Sequence, residues 1–151
     1  ERANTDVLGI DGQRMVVDLR VYELVDGVCT PVEGAHVDLW HCDDEGVYDM
    51  SDTHHCRARL PSAADGTACF FAPRPPNYGT GPDMLYQHFH LHVHLDGLRV
   101  LTTQIFFEDD PLVTERPPLD PNLVLPVETL ASGLQRVSLD LIFDRNYLPP
   151  P

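Results

Sequence analysis

The chain of 151 residues has no run of about eighteen apolar residues that could cross a bilayer as a helix. It is also short of positive charge. Ten Lys and Arg stand against twenty-four Asp and Glu, for a formal net charge of -14, so binding to phosphate backbones or anionic membrane surfaces is not expected. The four cysteines, Cys29, Cys42, Cys56 and Cys69, include no CxxC pair, which removes the main support for a zinc ribbon or a thioredoxin-like redox motif. No secretory leader is visible and no initiator Met is present; the chain starts at Glu1 and ends in Pro149, Pro150 and Pro151. The expectation is a processed piece of a longer, exported product: one domain over 1–148, then the start of a Pro-rich linker leading to an accessory domain. Scattered, even-numbered cysteines in an exported domain would form two disulfides, in pairings the sequence does not fix.

What the chain does have is alternation. Residues 15 to 24 place Met15, Val17, Leu19 and Val21 on one face and Asp18 and Arg20 on the other, the pattern of a half-buried strand. Similar runs recur at 35–42, 67–72, 88–95, 98–107 and 136–144, the last with Val137, Leu139, Leu141 and Phe143 directed inward. Asp26-Gly27, Asp65-Gly66 and Asp96-Gly97 punctuate them as turns. With no convincing amphipathic helix, the fold class is all-β, an antiparallel sandwich. The stretch NLVLPVETLASG is expected to hold a helical turn or two, limited by Pro126. Residues 43–66 and 73–87 are irregular, rich in charge or in Pro and Gly, and long loops on a rigid sandwich are where a site is built.

His88, His90, His92 and His94 occupy alternate positions of one strand, so all four face the same way, with neighbours about 6.5 to 7 Å apart at their roots. Four imidazoles opposite Phe89, Leu91, Val93 and Leu95 favour metal binding over a merely polar face. Periodicity does not say which two bind, nor which metal. Tyr48 and Tyr78 lie in the two irregular loops. A phenol ionises only near pH 10, so it becomes an anionic ligand only beside a strongly Lewis-acidic ion such as iron(III).

Four blocks, in order, resemble the intradiol ring-cleavage dioxygenases: PVEGAHVDLWHCDDEGVYD, RLPSAADGTACFFAPRPPNYG, HLHVHLDG and LTTQIFFEDDP. The resemblance implies a transthyretin-like sandwich with one iron(III) per chain. It makes Tyr48 the equatorial and Tyr78 the axial, substrate-displaced tyrosinate, and His90 and His92 the imidazole ligands, with His88 and His94 beside the site. Gln104 then lines the substrate pocket. Tyr86 is a rival to Tyr78 but lacks the Arg-Pro loop. Three residues before the first ligand His the family carries an arginine that stabilises charge on the ring; counted from His90, that position is Gln87. Gln87 or a nearby arginine would take over that role, Arg57 ahead of Arg59 and Arg74. The implied reaction is O2-dependent opening of a catechol-type ring to a cis,cis-muconate. With few cations in the loops, neutral or hydroxyquinol-like rings are expected ahead of carboxylated ones. A transthyretin-like carrier with an incidental His site, or a copper or zinc enzyme, are the competing readings.

Overall fold

A computed structural model describes residues 13–50 and 55–147; the ends of the chain, and with them the Pro run at 149–151, lie outside the described residues. The alternating segments become β1 (Arg14–Val25), β3 (His36–Trp40), β5 (Thr67–Pro73), β6 (His88–Leu95), β7 (Leu98–Phe107) and β10 (Gln135–Phe143). Four short strands join them: β2 (Val28–Pro31), β4 (Arg57–Pro61), β8 (Val124–Leu125) and β9 (Glu128–Thr129). Two five-stranded sheets result. One runs β2-β1-β10-β9, with β5 also paired to β1; the other runs β4-β3-β6-β7-β8. Most pairings are antiparallel, but β1 and β10 lie parallel, as do β7 and β8.

The turns follow from their residues. Asp26-Gly27 and Asp96-Gly97 both carry positive φ at each position, the twist that a two-residue hairpin loop requires. Between the sheets, Val17, Leu19 and Val21 meet Val37, Leu39, Phe89, Leu91, Val93, Ile105 and Phe107 in one apolar core. Phe89 and Phe107 pack edge to face with centroids 5.6 Å apart, and burial of each such side chain contributes about 1.5–3 kcal/mol. Of the inward positions expected on β10, Val137, Leu141 and Phe143 are buried, whereas Leu139 sits at the margin.

The segment NLVLPVETLASG holds one 3₁₀ turn, Pro121–Leu123, and then strands β8 and β9. The one α-helix among the described residues is a five-residue turn, α1 (Pro111–Glu115), capped by Asp110. The two-disulfide framework does not form: Cys29, Cys42 and Cys56 carry free thiols. Cys42 and Cys56 are instead buried as small apolar groups, while Cys29 is exposed on an edge strand.

Candidate metal centre

Because core residues on β6 alternate with the histidines, all four imidazoles lie on the outer face of the β4-β3-β6-β7-β8 sheet. Register sorts them into rows. Arg57, Trp40, His90 and Gln104 stand side by side, the next row is Arg59, Asp38, His92 and Thr102, and His36 faces His94 beyond it. The β3–β6 pairing is antiparallel, so the loop leaving β3 emerges beside His88 and His90.

That loop is stiff. The Asp43 carboxylate accepts from the backbone N–H groups of Glu45 (3.0 Å) and Val47 (2.8 Å), folding DDEG into a tight turn that delivers Tyr48. Gly46, at φ +77°, lies so close to Tyr78 that a Cβ there would sit 2.4 Å from the tyrosine's own Cβ. The second loop is pinned by Asp110, which is 1% exposed. Its carboxylate accepts from Asn77 Nδ2, from the Gln87 N–H and from the Leu112 N–H, while Tyr78 and Leu85 exchange backbone hydrogen bonds.

The result is a knot of four donor atoms. Tyr48 Oη lies 3.1 Å from Tyr78 Oη, 3.2 Å from His88 Nε2 and 2.9 Å from His90 Nε2, and the two Nε2 atoms are 3.2 Å apart. Bonds of about 2.0–2.1 Å to one ion at tetrahedral or octahedral angles separate ligand atoms by about 2.9–3.4 Å, the spacing found here.

The ring nitrogens argue for the same occupant. His88 Nδ1 donates to the Tyr86 carbonyl at 2.7 Å, which leaves its Nε2 as a bare lone pair. His90 Nδ1 lies 3.2 Å from the Gln104 amide nitrogen, a contact that fixes the ring. Four donor atoms this close converge on one point, where a cation is well placed to hold them together. A backbone carbonyl and a side-chain amide on the far ring nitrogens is also how metal-ligating histidines are oriented.

Burial holds His90 down to about pH 4, helped by the nearby His88 and His92, and lowers His88 too, so both rings stay neutral at ordinary pH. Burial, reinforced by the Tyr78 hydrogen bond, raises the Tyr48 pKa, so a phenolate forms there only against a metal charge. Trp40 stacks flat on His90, centroids 4.9 Å apart with planes 8° from parallel, and fixes that ring.

The structure therefore brings Tyr48, Tyr78 and His90 together as expected, but with His88 in the place expected for His92. His92 points two positions further along β6, edge-on to Trp40 and grouped with Asp38 and His94. Tyr86 is directed elsewhere, its hydroxyl donating to the Arg116 carbonyl. Gln87 precedes β6, and its side chain accepts from Arg74 Nε at 2.8 Å. Counted from His88, the position three residues earlier is Leu85, so the family's cation is absent there. Arg57 is separated from the knot by Trp40, over whose ring its guanidinium lies at 5.4 Å. Arg59 pairs with Asp38 and Arg74 with Asp109. Gln104 supports His90 directly, a role its sequence position did not suggest. Asp110 and Asn77, which anchor the second loop, lie within two of the matching sequence blocks but were not singled out as site residues. A separate cavity of about 300 Å³, lined in part by His41, Arg74 and Gln87, contains none of the four donors.

A family profile described as Dioxygenase matches residues 3–131. A chlorocatechol 1,2-dioxygenase from Rhodococcus opacus is 30% identical over 142 residues, covering 78% of this chain and 55% of that protein. A hydroxyquinol 1,2-dioxygenase from Rhizobium sp. is 33% identical over 121 residues, 68% of this chain and 40% of that protein. The chain thus spans about half or less of the length of these relatives. Among solved structures, the dioxygenase domain of a dioxygenase carbohydrate-binding protein fusion from Streptomyces sp. SirexAA-E superposes with a TM-score of 0.75 at 26% identity, covering 91% of this chain and 85% of that one. Catechol 1,2-dioxygenase from Pseudomonas arvilla C-1 shares the fold, with a TM-score of 0.76 at 20% identity, over 100% of this chain and 59% of that one. A sandwich whose outer sheet face gathers two phenols and two imidazoles, matched along most of its length by that profile, belongs to the intradiol ring-cleavage dioxygenase family.

Proposed function

We propose that this chain opens a catechol-type ring between its two hydroxylated carbons with molecular oxygen, giving a cis,cis-muconate-type product, at one iron(III) ion held by Tyr48, Tyr78, His88 and His90. The observation that carries the reading is the knot itself, in which Tyr48 Oη lies within 3.2 Å of the other three donor atoms. Two phenols among the ligands favour a hard, tripositive ion over zinc or copper(II). Bound there, iron(III) would supply the Lewis acidity that ionises a catechol and makes its ring reactive toward oxygen.

The remaining work belongs to the protein. Tyr48 and Tyr78, as phenolates, are the two bases nearest to a bound catechol's protons. Tyr78, in the loop pinned by Asp110, would be the phenol that gives way to substrate and takes up a proton, with Tyr48 held in the turn built by Asp43. Trp40, Gln104 and the Tyr86 carbonyl keep the two imidazoles aimed, so that little reorganisation accompanies substrate binding. The scarcity of cations in the loops around the donors favours an uncharged ring over a carboxylated one. The names of the relatives, a chlorocatechol and a hydroxyquinol enzyme, agree with that class. Nothing in the geometry favours a carrier.

Oxygen uptake by the iron-loaded protein, measured with catechol, hydroxyquinol and protocatechuate and followed by product identification, tests the reading. Uptake with the first two, an intradiol product, and loss of both in Tyr48→Phe are expected. A coloured, iron-loaded protein that consumes no oxygen with any of the three overturns it.

A further inference from the structure

β6 carries two more histidines than the centre above employs, and they do not stand alone. Directly across from His92 is Asp38, and across from His94 is His36, all on the same outer face of the sheet. His94 Nε2 lies 3.3 Å from Asp38 Oδ2, and one donor atom from each of Asp38, His92 and His94 lies within 4.8 Å of the others. We propose that Asp38, His92 and His94 form a second metal site, one row along the sheet from the tyrosine-bearing centre, for a divalent cation of the zinc or copper(II) type.

The donor set selects the metal. Two imidazoles and one carboxylate, with no phenol, suit a borderline dication that takes mixed nitrogen and oxygen ligands and leaves a fourth position open to water. Donor atoms around such an ion stand about 3.3 Å apart. The Asp38–His94 pair already meets that spacing, and His92, partly exposed and in ring contact with Trp40 and His94, needs a modest side-chain rotation. The backbone is fixed by the β3–β6 ladder, which makes the site preorganised.

Several cations compete for the site: Arg99, paired with His94 across the β6–β7 ladder, and Arg57 both bear on His92. Arg59 holds both oxygens of Asp38, at 2.5 and 2.7 Å. Its side chain is 58% exposed, against 12% for Asp38, so the guanidinium can swing into water while the carboxylate stays in place. Metal binding is then an exchange of one cation for another on Asp38, which keeps the affinity moderate. Trp40 touches both sites, stacked on His90 and edge-on to His92, so an ion here would also hold the ring that orients His90.

The site is independent of the ring-cleavage reading and can be tested without it. Chelator-washed full chain is titrated with Zn2+ by calorimetry and with Co2+ by visible absorption. In the parent, one equivalent is expected at Asp38, His92 and His94, in addition to any taken up by the tyrosine-bearing centre, and His94→Gln and Asp38→Asn should each lose that equivalent. In His88→Ala, which disables the tyrosine-bearing centre, one equivalent should remain, and adding His94→Gln should remove it, with affinity down by more than about tenfold. Arg59→Ala should tighten the second equivalent. Circular dichroism checks folding, and His92→Asn stands in if His94→Gln does not fold. A parent stoichiometry unchanged by His94→Gln or its stand-in, a His88→Ala protein that binds no Zn2+, or weaker binding in Arg59→Ala overturns the proposal.

Discussion

Acid should weaken the metal-free protein through His41. The side chain is 2% exposed; its Nδ1 donates to the Cys42 carbonyl at 2.6 Å, and its Nε2 has no partner among the described residues. Protonation would place a charged N–H in that apolar setting beside Phe89, and burial accordingly lowers its pKa from 6.5 to about 4. Between those values the unfolded chain binds a proton that the folded chain refuses, so stability is full above pH 6.5 and falls as the pH drops toward 4. Integrated from pH 7.5 to 4.5, the loss is about 2–3 kcal/mol from this residue alone. His88 and His90, also lowered by burial, add to it in the same direction in the chelator-stripped protein. Urea unfolding of that protein at the two pH values, parent against His41→Leu, isolates the contribution. The variant should give up about 1 kcal/mol at pH 7.5 for the lost hydrogen bond, yet lose about 2–3 kcal/mol less than the parent on acidification. Equal acid losses in the two proteins would refute the assignment of a buried, neutral His41.

Three further outcomes follow from the same geometry. Iron-loaded protein should show a visible tyrosinate-to-iron(III) band that is lost with the metal in His88→Ala and retained in His92→Ala; the opposite pattern would put the ligand pair at His90 and His92. Gly46→Ala should add about 1–2 kcal/mol of left-handed backbone strain and push Tyr78 away, so iron retention falls more than the melting temperature alone would indicate, as metal analysis after dialysis would show. In a thiol-reagent titration Cys29 should react at once. Cys42 and Cys56, whose pKa values burial pushes up to about 11, should react only after denaturation.

Much of the fold was legible because alternation is a local property. Met15, Val17, Leu19 and Val21, or Phe89, Leu91 and Val93, announce an inward face whatever the strand later pairs with. The strands missed lack that signature for physical reasons. All four residues of β2 are exposed on an edge, and β8 and β9 are two residues long, held by their neighbours and not by any pattern of their own. In β4 the alternation of Arg57 and Arg59 with Ala58 and Leu60 is present but sits within a segment rich in charge. The disulfide expectation failed similarly, since cysteine count carries no information about whether Cys42 and Cys56 pack as small apolar side chains.

The site divides along the same line. Tyr48, Tyr78 and Gln104 could be located by their order in the chain, and His90 with them, but the choice of its partner could not be made from β6 itself. A period of two makes His88 and His92 equivalent about His90; nothing local distinguishes them. What breaks the symmetry is the antiparallel pairing with β3, which sets Trp40 beside His90 and His36 beside His94. The chain therefore leaves β3 at the His88 end, and its Asp43 turn returns Tyr48 within a few residues. His94 lies four residues beyond His90, about 13 Å along the strand, out of reach of that loop. The strand direction that brings the phenols to His88 and His90 thus also leaves His92 and His94 opposite Asp38 and His36, where only imidazole and carboxylate donors are at hand.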